Sequence, residues 1–230
     1  MKKGKMILAS VFLMVLSSCG GNSSDTMFGD IPSAYEEKMI NWVKEMQQLN
    51  TEDKKSEALA LLADFTKEME ELQKEMEVRA EKMKGQTIEY TMEEGLPYQL
   101  VSDIQVDEVK LPKLGVIGGR DSGMRLKVKF SVVLAEVSEE ASLRLYYLLT
   151  GDEGNVGYGT FSISQKVTVG DTLHLEKMIY APDVPAQYQE SCRSLVFVSE
   201  EVFESERKVI REKQKEWTDA RKKELGLKKE

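Results

Sequence analysis

Residues 125–134 read Arg-Leu-Lys-Val-Lys-Phe-Ser-Val-Val-Leu. Apolar side chains occupy every second position from Leu126 to Leu134, and Lys127 and Lys129 lie between them. Successive side chains of a β-strand point to opposite faces of a sheet, so this alternation predicts a strand with one buried and one solvated face. The buried face needs a second layer of structure to cover it.

Strand-forming segments extend on both sides of this stretch, over residues 86–198. Residues 143–150 and 156–169 flank the turn-forming sequence Gly-Asp-Glu-Gly-Asn at 151–155, which predicts a hairpin. Further strands are expected near 87–92, 98–110, 172–180 and 193–198. Seven or so short strands separated by turns indicate an antiparallel β-sandwich, which matches immunoglobulin-like sandwiches in strand count only.

Two helices are predicted before this sandwich, over residues 33–85. Ser33 and Glu36 form a capping-box pattern, so the first helix is expected to start at Ser33. The second helix is expected over 54–84, with Gly85 as its stop. Because their connection is short, the two helices should form an antiparallel hairpin. Apolar residues recur at steps of three and four in both helices: Tyr35, Met39, Trp42, Val43, Met46 and Leu49, then Leu62, Phe65, Met69, Leu72, Met76, Ala80 and Met83.

Met69, Met76 and Met83 lie seven residues apart on the second helix and admit two interpretations. They could fill the core between helices, which is the usual role of an apolar stripe. They could instead form an adaptable surface for a protein partner, because the methionine side chain repacks easily. The second interpretation makes these three residues the predicted partner-binding positions. Copper(I) binding by the thioethers is a third interpretation, and no cofactor or metal is predicted.

A C-terminal helix is predicted over residues 199–230. Glu200, Glu201 and Glu204 lie in its first turns and basic residues 221–223 in its last, which matches the helix dipole at both ends. Its apolar stripe is thin, so it is expected to pack on the N-terminal hairpin. The predicted class is therefore α+β, with the helical hairpin and the C-terminal helix packed together beside the antiparallel sandwich.

The N-terminus combines a basic start, an apolar run and small residues before a cysteine. Lys2, Lys3 and Lys5 precede the apolar residues 6–16. These features are typical of a secretory signal peptide, and the run is shorter than the roughly 20 residues that span a bilayer. The ending Leu-Ser-Ser-Cys at 16–19 resembles the lipobox of bacterial lipoproteins.

The lipobox resemblance implies that the signal peptide, residues 1–18, is cleaved between Ser18 and Cys19 and that fatty chains such as palmitate are attached to the Cys19 sulfur. Residues 19–32 would then be the lipidated cysteine and a flexible tether. In the sorting rule of such proteins, aspartate after the cysteine retains the protein in the inner membrane. Gly20 stands there, so the outer membrane is expected, with the periplasmic face favoured over the cell surface. An ordinary signal peptide with an incidental cysteine is the alternative.

Composition argues against a nucleic-acid-binding protein. Without the signal peptide, 29 of the 32 basic residues remain against 40 acidic ones, a net charge of −11. Phosphate contacts need clustered Lys and Arg, so an acidic chain is a poor nucleic-acid binder. Cys192 would be the single free thiol of the processed chain, and a small buried hydrophobe is the usual role of a lone cysteine.

No catalytic or metal-binding motif stands out. His174 is the only histidine in the sequence and is expected on an exposed strand face, while zinc needs three or four ligands. Nucleophile-elbow, phosphate-loop and dinucleotide patterns are missing from the sequence. Asp152, Glu153 and Asn155 lack the spacing of a calcium loop, so solvated turn residues are expected there.

We therefore expect a membrane-anchored, extracytoplasmic lipoprotein of the cell envelope that is not an enzyme. It would act as a protein-binding or scaffold module, with the helical hairpin and one sandwich face as its contact surfaces and another envelope protein as its partner. The alternative is a β-sandwich lipoprotein that binds carbohydrate or a small ligand, which requires a concave site lined with Tyr and acids. A third class, an enzyme with an unrecognised carboxylate site, requires a cleft that holds two acids.

Overall fold

The computed structural model describes residues 26–49, 55–112, 123–135, 143–164 and 168–226. The predicted signal peptide and Cys19 therefore lie outside the described residues. Two helices come first, followed by eight strands with one short helix among them, and a long helix comes last. The elements are α1 Ile31–Gln48, α2 Lys55–Met83, β1 Thr87–Met92, β2 Tyr98–Leu100, β3 Ile104–Lys110, β4 Arg125–Leu134, β5 Leu143–Gly151, β6 Gly154–Ile163, β7 Thr172–Tyr180, α3 Ala186–Glu190, β8 Ser194–Val198 and α4 Glu200–Glu224.

The predicted α+β class is confirmed, with helices packed alongside a sheet. Strand β4 coincides with the alternating stretch that predicted it. Its inward-facing residues are at most 3 % exposed: Leu126, Val128, Phe130, Val132 and Leu134. The side chains of Lys127 and Lys129 point to the other face and make ion pairs there. The alternation therefore placed both faces of this strand correctly.

The eight strands form one mixed sheet in the order β2-β4-β3-β1-β8-β5-β6, and β7 pairs with β4. The sheet curves so that its two halves face each other, with the rings of Phe130 and Phe161 only 5.4 Å apart across the core, but it does not close into a barrel. The expectation of a purely antiparallel sheet was wrong in one place, because β1 and β8 pair in parallel. About a hundred residues separate these two strands, so no hairpin turn fixes their relative direction.

Helix α4 lies mainly on the outer face of β5, β6 and β8 rather than on the N-terminal hairpin. Phe203 and Ile210 are buried there, in one cluster with Leu148 and Val198. The expected packing on the hairpin is therefore replaced by packing on the sheet, because this outer face is itself apolar and needs cover. The helix reaches α1 near its C-terminal end, where the Arg221 guanidinium donates a hydrogen bond to a carboxylate of α1.

The last part of the predicted tether, residues 26–32, is packed against the folded chain. Phe28 and Ile31 are 0 % and 1 % exposed, and the backbone N–H of Met27 donates a hydrogen bond to the Cys192 carbonyl at 2.7 Å. α1 begins at Ile31, with a proline in its first turn, two residues before the predicted start. The prediction treated these apolar residues as part of a flexible tether, whereas their burial fixes the chain to the core from Met27 onwards.

Candidate interaction surface

The three methionines predicted to bind a partner lie in the core. Met69, Met76 and Met83 are 6 %, 0 % and 6 % exposed and belong to the main hydrophobic cluster under the sheet. α2 packs this stripe against α1 and β3. In this arrangement the three side chains are not accessible to a partner, so the expected methionine surface is replaced by core packing.

The row that contains these methionines continues beyond its cover. Leu62 stands seven residues before Met69, on the same face of α2, yet it is 45 % exposed. Leu59, one turn further along, is 69 % exposed. α1 and the sheet together bury the apolar face of α2 as far as Met69, and Phe65 is half-buried against the same core, whereas Leu62 and Leu59 on the distal turns are exposed.

The distal half of α1 accompanies this open end of α2. The rings of Trp42 and Phe65 stack with centroids 4.6 Å apart and planes inclined by 24°. We call residues 39–49 and 55–66 the arm. Every described apolar side chain of the arm is half-buried or exposed: Met39, Ile40, Trp42, Val43, Met46, Leu49, Ala58, Leu59, Ala60, Leu61, Leu62, Ala63 and Phe65. The two helices bury part of each other's apolar stripe, and the part that stays exposed includes Leu59 and Leu62.

Reciprocal capping holds the base of the hairpin to α3. Glu36 of α1 accepts a hydrogen bond from the backbone N–H of Ala186 at the start of α3, at 2.5 Å. Glu190 of α3 accepts one from the backbone N–H of Ser33 in the first turn of α1, at 2.7 Å. Glu36 also receives the 3.0 Å hydrogen bond from Arg221. The predicted capping box of Ser33 and Glu36 is therefore replaced by caps that each helix supplies to the other.

Cys192 lies at the same base and is 0 % exposed. Burial raises the pKa of its thiol to about 12, so the thiolate that a nucleophile requires is scarce at neutral pH. Its neighbourhood contains the stacked rings of Tyr188 and Trp217, whose centroids are 3.9 Å apart. The environment is that of a buried, small apolar side chain.

The exposed face of the sheet carries a network of ion pairs. The Lys127 ammonium lies 3.1 Å from Asp107 and 2.8 Å from Glu176, and Lys129 lies 2.5 Å from Asp107. The lysines, Lys129 first, hold the pKa of Asp107 below its ordinary value. Each charge has an opposite partner, so the network stabilises the sheet surface and leaves little net charge for a ligand.

His174 is exposed on this face, and its Nδ1 lies 2.8 Å from the Ser131 hydroxyl. Within the described ranges, no group of three or more His, Cys, Asp or Glu side chains could hold a metal ion. In the β5–β6 turn, Asp152 accepts two hydrogen bonds from Arg193, at 2.8 and 2.9 Å, and Asn155 bonds to Thr150. These turn oxygens are thus engaged with protein donors.

A groove with a volume of about 490 Å³ lies between α2 and β3. Its lining residues are Gln73, Glu77, Ala80, Glu81, Lys84, Glu108, Val109, Leu111 and Pro112. A carbohydrate site usually offers an aromatic face for the sugar ring, and this lining contains none. The groove therefore gives no particular support to the ligand-binding alternative.

Among the residues that the structure describes, no helix has both the length and the apolar character needed to cross a membrane. Comparisons with protein-family models, curated proteins and solved structures found no significant match. The function proposed below is therefore inferred from the chain itself.

Proposed function

We propose that this chain is a lipid-anchored protein of the cell envelope that captures a helical segment of another envelope protein through the arm, without catalysing a reaction. The observation that carries the proposal is the row of α2 residues spaced by seven. Met69 and Met76 in that row are buried, and Leu62 in the same row is 45 % exposed. An apolar stripe that is buried along one part of a helix and exposed along the next is typical of a surface that binds another protein element.

An amphipathic helix is the occupant that fits the arm best. The surface consists of two antiparallel helices, and a third helix packs on such a pair by the same ridges and grooves that join the first two. Met39 and Met46 stand in the apolar row of α1, where flexible thioethers adapt to an incoming side chain. The partner is therefore expected to present apolar residues at helical spacing.

The direction of α1 suits a protein that reaches away from its anchor. Met27 and Ile31 are fixed at one end of α1, and the arm is at the other. The helix is 18 residues long, which corresponds to about 27 Å. Seven residues lie between Cys19 and Met27, so the eight Cα–Cα steps span at most about 28 Å. An acylated Cys19 would thus hold the base of the hairpin near the membrane and direct the arm outward.

Site-specific crosslinking in intact cells tests the arm. A photo-crosslinking residue is introduced into the full-length chain at Leu62 or at Val78, which is 59 % exposed on the opposite face of the same helix. We expect a crosslink from position 62 to an amphipathic helix of another envelope protein, identified by mass spectrometry, and none from position 78. To test the surface by substitution, the crosslinking residue is placed at position 43 instead. The double substitution Leu59→Glu/Leu62→Glu should then abolish the crosslink to the partner, whereas the control substitution Val78→Glu should leave that crosslink intact. A crosslink to a second copy of this chain, equal products at both positions, or no product would each refute a helical partner.

Metabolic labelling with a clickable fatty acid tests the anchor separately. The wild-type chain should be labelled, Cys19→Ala should not, and the matched variant Cys192→Ala should keep its label because that thiol is buried. Label that persists in Cys19→Ala would exclude Cys19 as the acylated residue.

A further inference from the structure

The second half of α4 is basic in a chain that is acidic overall. The whole sequence has a formal net charge of −8, yet residues 207–223 hold eight basic and only three acidic side chains. The helix dipole accounts for basic residues in the last turn of a helix, such as Arg221, Lys222 and Lys223. It does not account for Lys208, which lies four turns before the end of the helix, because the dipole effect falls off within one turn.

Three of these lysines form one exposed row. Lys208, Lys215 and Lys222 are seven residues apart and all exposed. The buried row of α4 contains Phe203 and Ile210, which are seven residues apart as well. Each of them lies five residues before a lysine of the exposed row. At 100° per residue, five positions correspond to about 140°, so the lysine row points away from the sheet. None of the three lysines has an ion-pair partner among the described residues, unlike the paired lysines on the face of the sheet.

The C-terminal part of this helix lies near Met27, at the beginning of the described chain. Trp217 stacks on Tyr188, whose carbonyl oxygen lies 3.6 Å from the Cys192 sulfur, and Cys192 accepts the hydrogen bond from Met27. Only seven residues lie between Cys19 and Met27. If Cys19 carries fatty chains, the basic end of α4 is held within reach of lipid headgroups.

We infer that the row of Lys208, Lys215 and Lys222 lies against anionic phospholipid headgroups and orients the protein on its membrane. The choice of a lipid surface as the partner rests on the anchor proposed above. Two properties of the row favour a flat anionic surface over a compact ligand. The charges lie about 10.5 Å apart along the helix, too far for one phosphate to contact two of them. They are also exposed and do not line either of the grooves described by the structure. A lysine near an anionic bilayer gains favourable energy over about one Debye length, so acidic residues farther away are screened, whereas Glu212 and Asp219 lie within that distance and lower the net charge of the row.

Vesicle co-sedimentation tests this surface without the acyl chains. The chain is produced from Gly20, which retains every described core residue from Met27 onwards, and circular dichroism verifies its fold. We expect it to bind vesicles of equal parts phosphatidylcholine and phosphatidylglycerol at low salt, to bind phosphatidylcholine alone weakly, and to be released by high salt. Lys208→Gln/Lys215→Gln/Lys222→Gln should lower the partition coefficient roughly a hundredfold, at about fivefold for each lysine.

A matched triple variant on the acidic helix α2, Lys67→Gln/Lys74→Gln/Lys82→Gln, removes the same charge from exposed positions and should change binding little. Equal loss in both variants would mean that net charge alone matters, and equal binding to both vesicle types would mean that headgroup charge does not matter. Either outcome overturns the inference. Leu59→Glu/Leu62→Glu should bind vesicles normally. A negative vesicle result would leave the labelling of Cys19 and the crosslink at Leu62 unaffected, so the failures are distinguishable.

Discussion

The exposed end of α2 predicts that alanine substitutions along one row of residues lower the free energy of unfolding by very different amounts. Met76 is 0 % exposed within the main core, and replacing such a methionine with alanine removes buried methylenes and leaves a cavity. Such changes typically cost 2–5 kcal/mol, and we expect about 3 kcal/mol for Met76→Ala. Leu62 belongs to the same row but is 45 % exposed. Full burial of a leucine contributes roughly 1.5–3 kcal/mol and an open site leaves no cavity, so Leu62→Ala should cost about 1 kcal/mol.

Urea denaturation followed by far-ultraviolet circular dichroism measures this difference. With an m value of about 2 kcal/mol/M, Met76→Ala should lower the midpoint by about 1.5 M and Leu62→Ala by about 0.5 M. Val78→Ala, on the exposed opposite face, is the control and should remain within about 0.5 kcal/mol of the wild type. A loss for Leu62→Ala as large as that for Met76→Ala would show that the arm is covered in the free protein. The reasoning for a partner surface would then be refuted.

Three further predictions concern the core and the base of the hairpin. Gly159→Ala should cost roughly 1–3 kcal/mol by calorimetry, because the added Cβ would collide with the Tyr147 ring, and an unchanged melting temperature would refute this packing. Glu36→Gln should cost about 1–2 kcal/mol in urea, since it weakens the hydrogen bonds from Arg221 and from the first N–H of α3, and a neutral effect would show that this clamp is not formed. The Cys192 thiol should react with a disulfide reagent only as fast as the chain unfolds. Because its folded pKa is raised from 9.0 to about 12, its contribution to stability is present below pH 9 and lost between pH 9 and 12, so Cys192→Ala should lessen alkaline destabilisation in that range.

Local pattern predicted the elements of the fold well. The alternation in residues 125–134 predicted β4 and its buried face, and the Gly-rich turn at 151–155 predicted the β5–β6 hairpin. Ser199 caps α4 by accepting a hydrogen bond from the backbone N–H of Val202, where the sequence placed the start of the last helix. Each of these features depends on residues close together in the chain, so the sequence contains the information directly.

The errors arose where distant segments meet. The parallel pairing of β1 with β8 depends on a crossover of about a hundred residues, which no local pattern encodes. The sequence of β5 does indicate where α4 packs. Strand β5 contains Leu145, Tyr146, Tyr147, Leu148 and Leu149 in succession, and a run that is apolar at consecutive positions predicts a strand covered on both faces. α4 supplies the second cover.

The candidate surface could be predicted only in part. Regular spacing identified the apolar row of α2, but the row looks the same on both sides of Met69. Where the burial of this row ends depends on how α1 and β3 pack against α2, which is a property of tertiary packing. The prediction therefore chose the methionines as the partner-binding residues, whereas the open positions are the leucines Leu59 and Leu62.

The geometry of the base bears on how an arm of two helices can act at a distance. A hairpin joined to the rest of the protein by a flexible hinge would sample many directions. Binding of a partner would then restrict these motions, and the lost conformational entropy would weaken the affinity. Here the first turn of α1 is fixed by Glu190, α3 is fixed by Glu36, and Arg221 joins both to α4. The segment that leads towards Cys19 is hydrogen-bonded to Cys192 in the same cluster. The N-terminal part of α1, α3 and the C-terminal end of α4 are thus joined at one base. Loosening that base should therefore weaken capture at the arm even though no residue of the arm is altered.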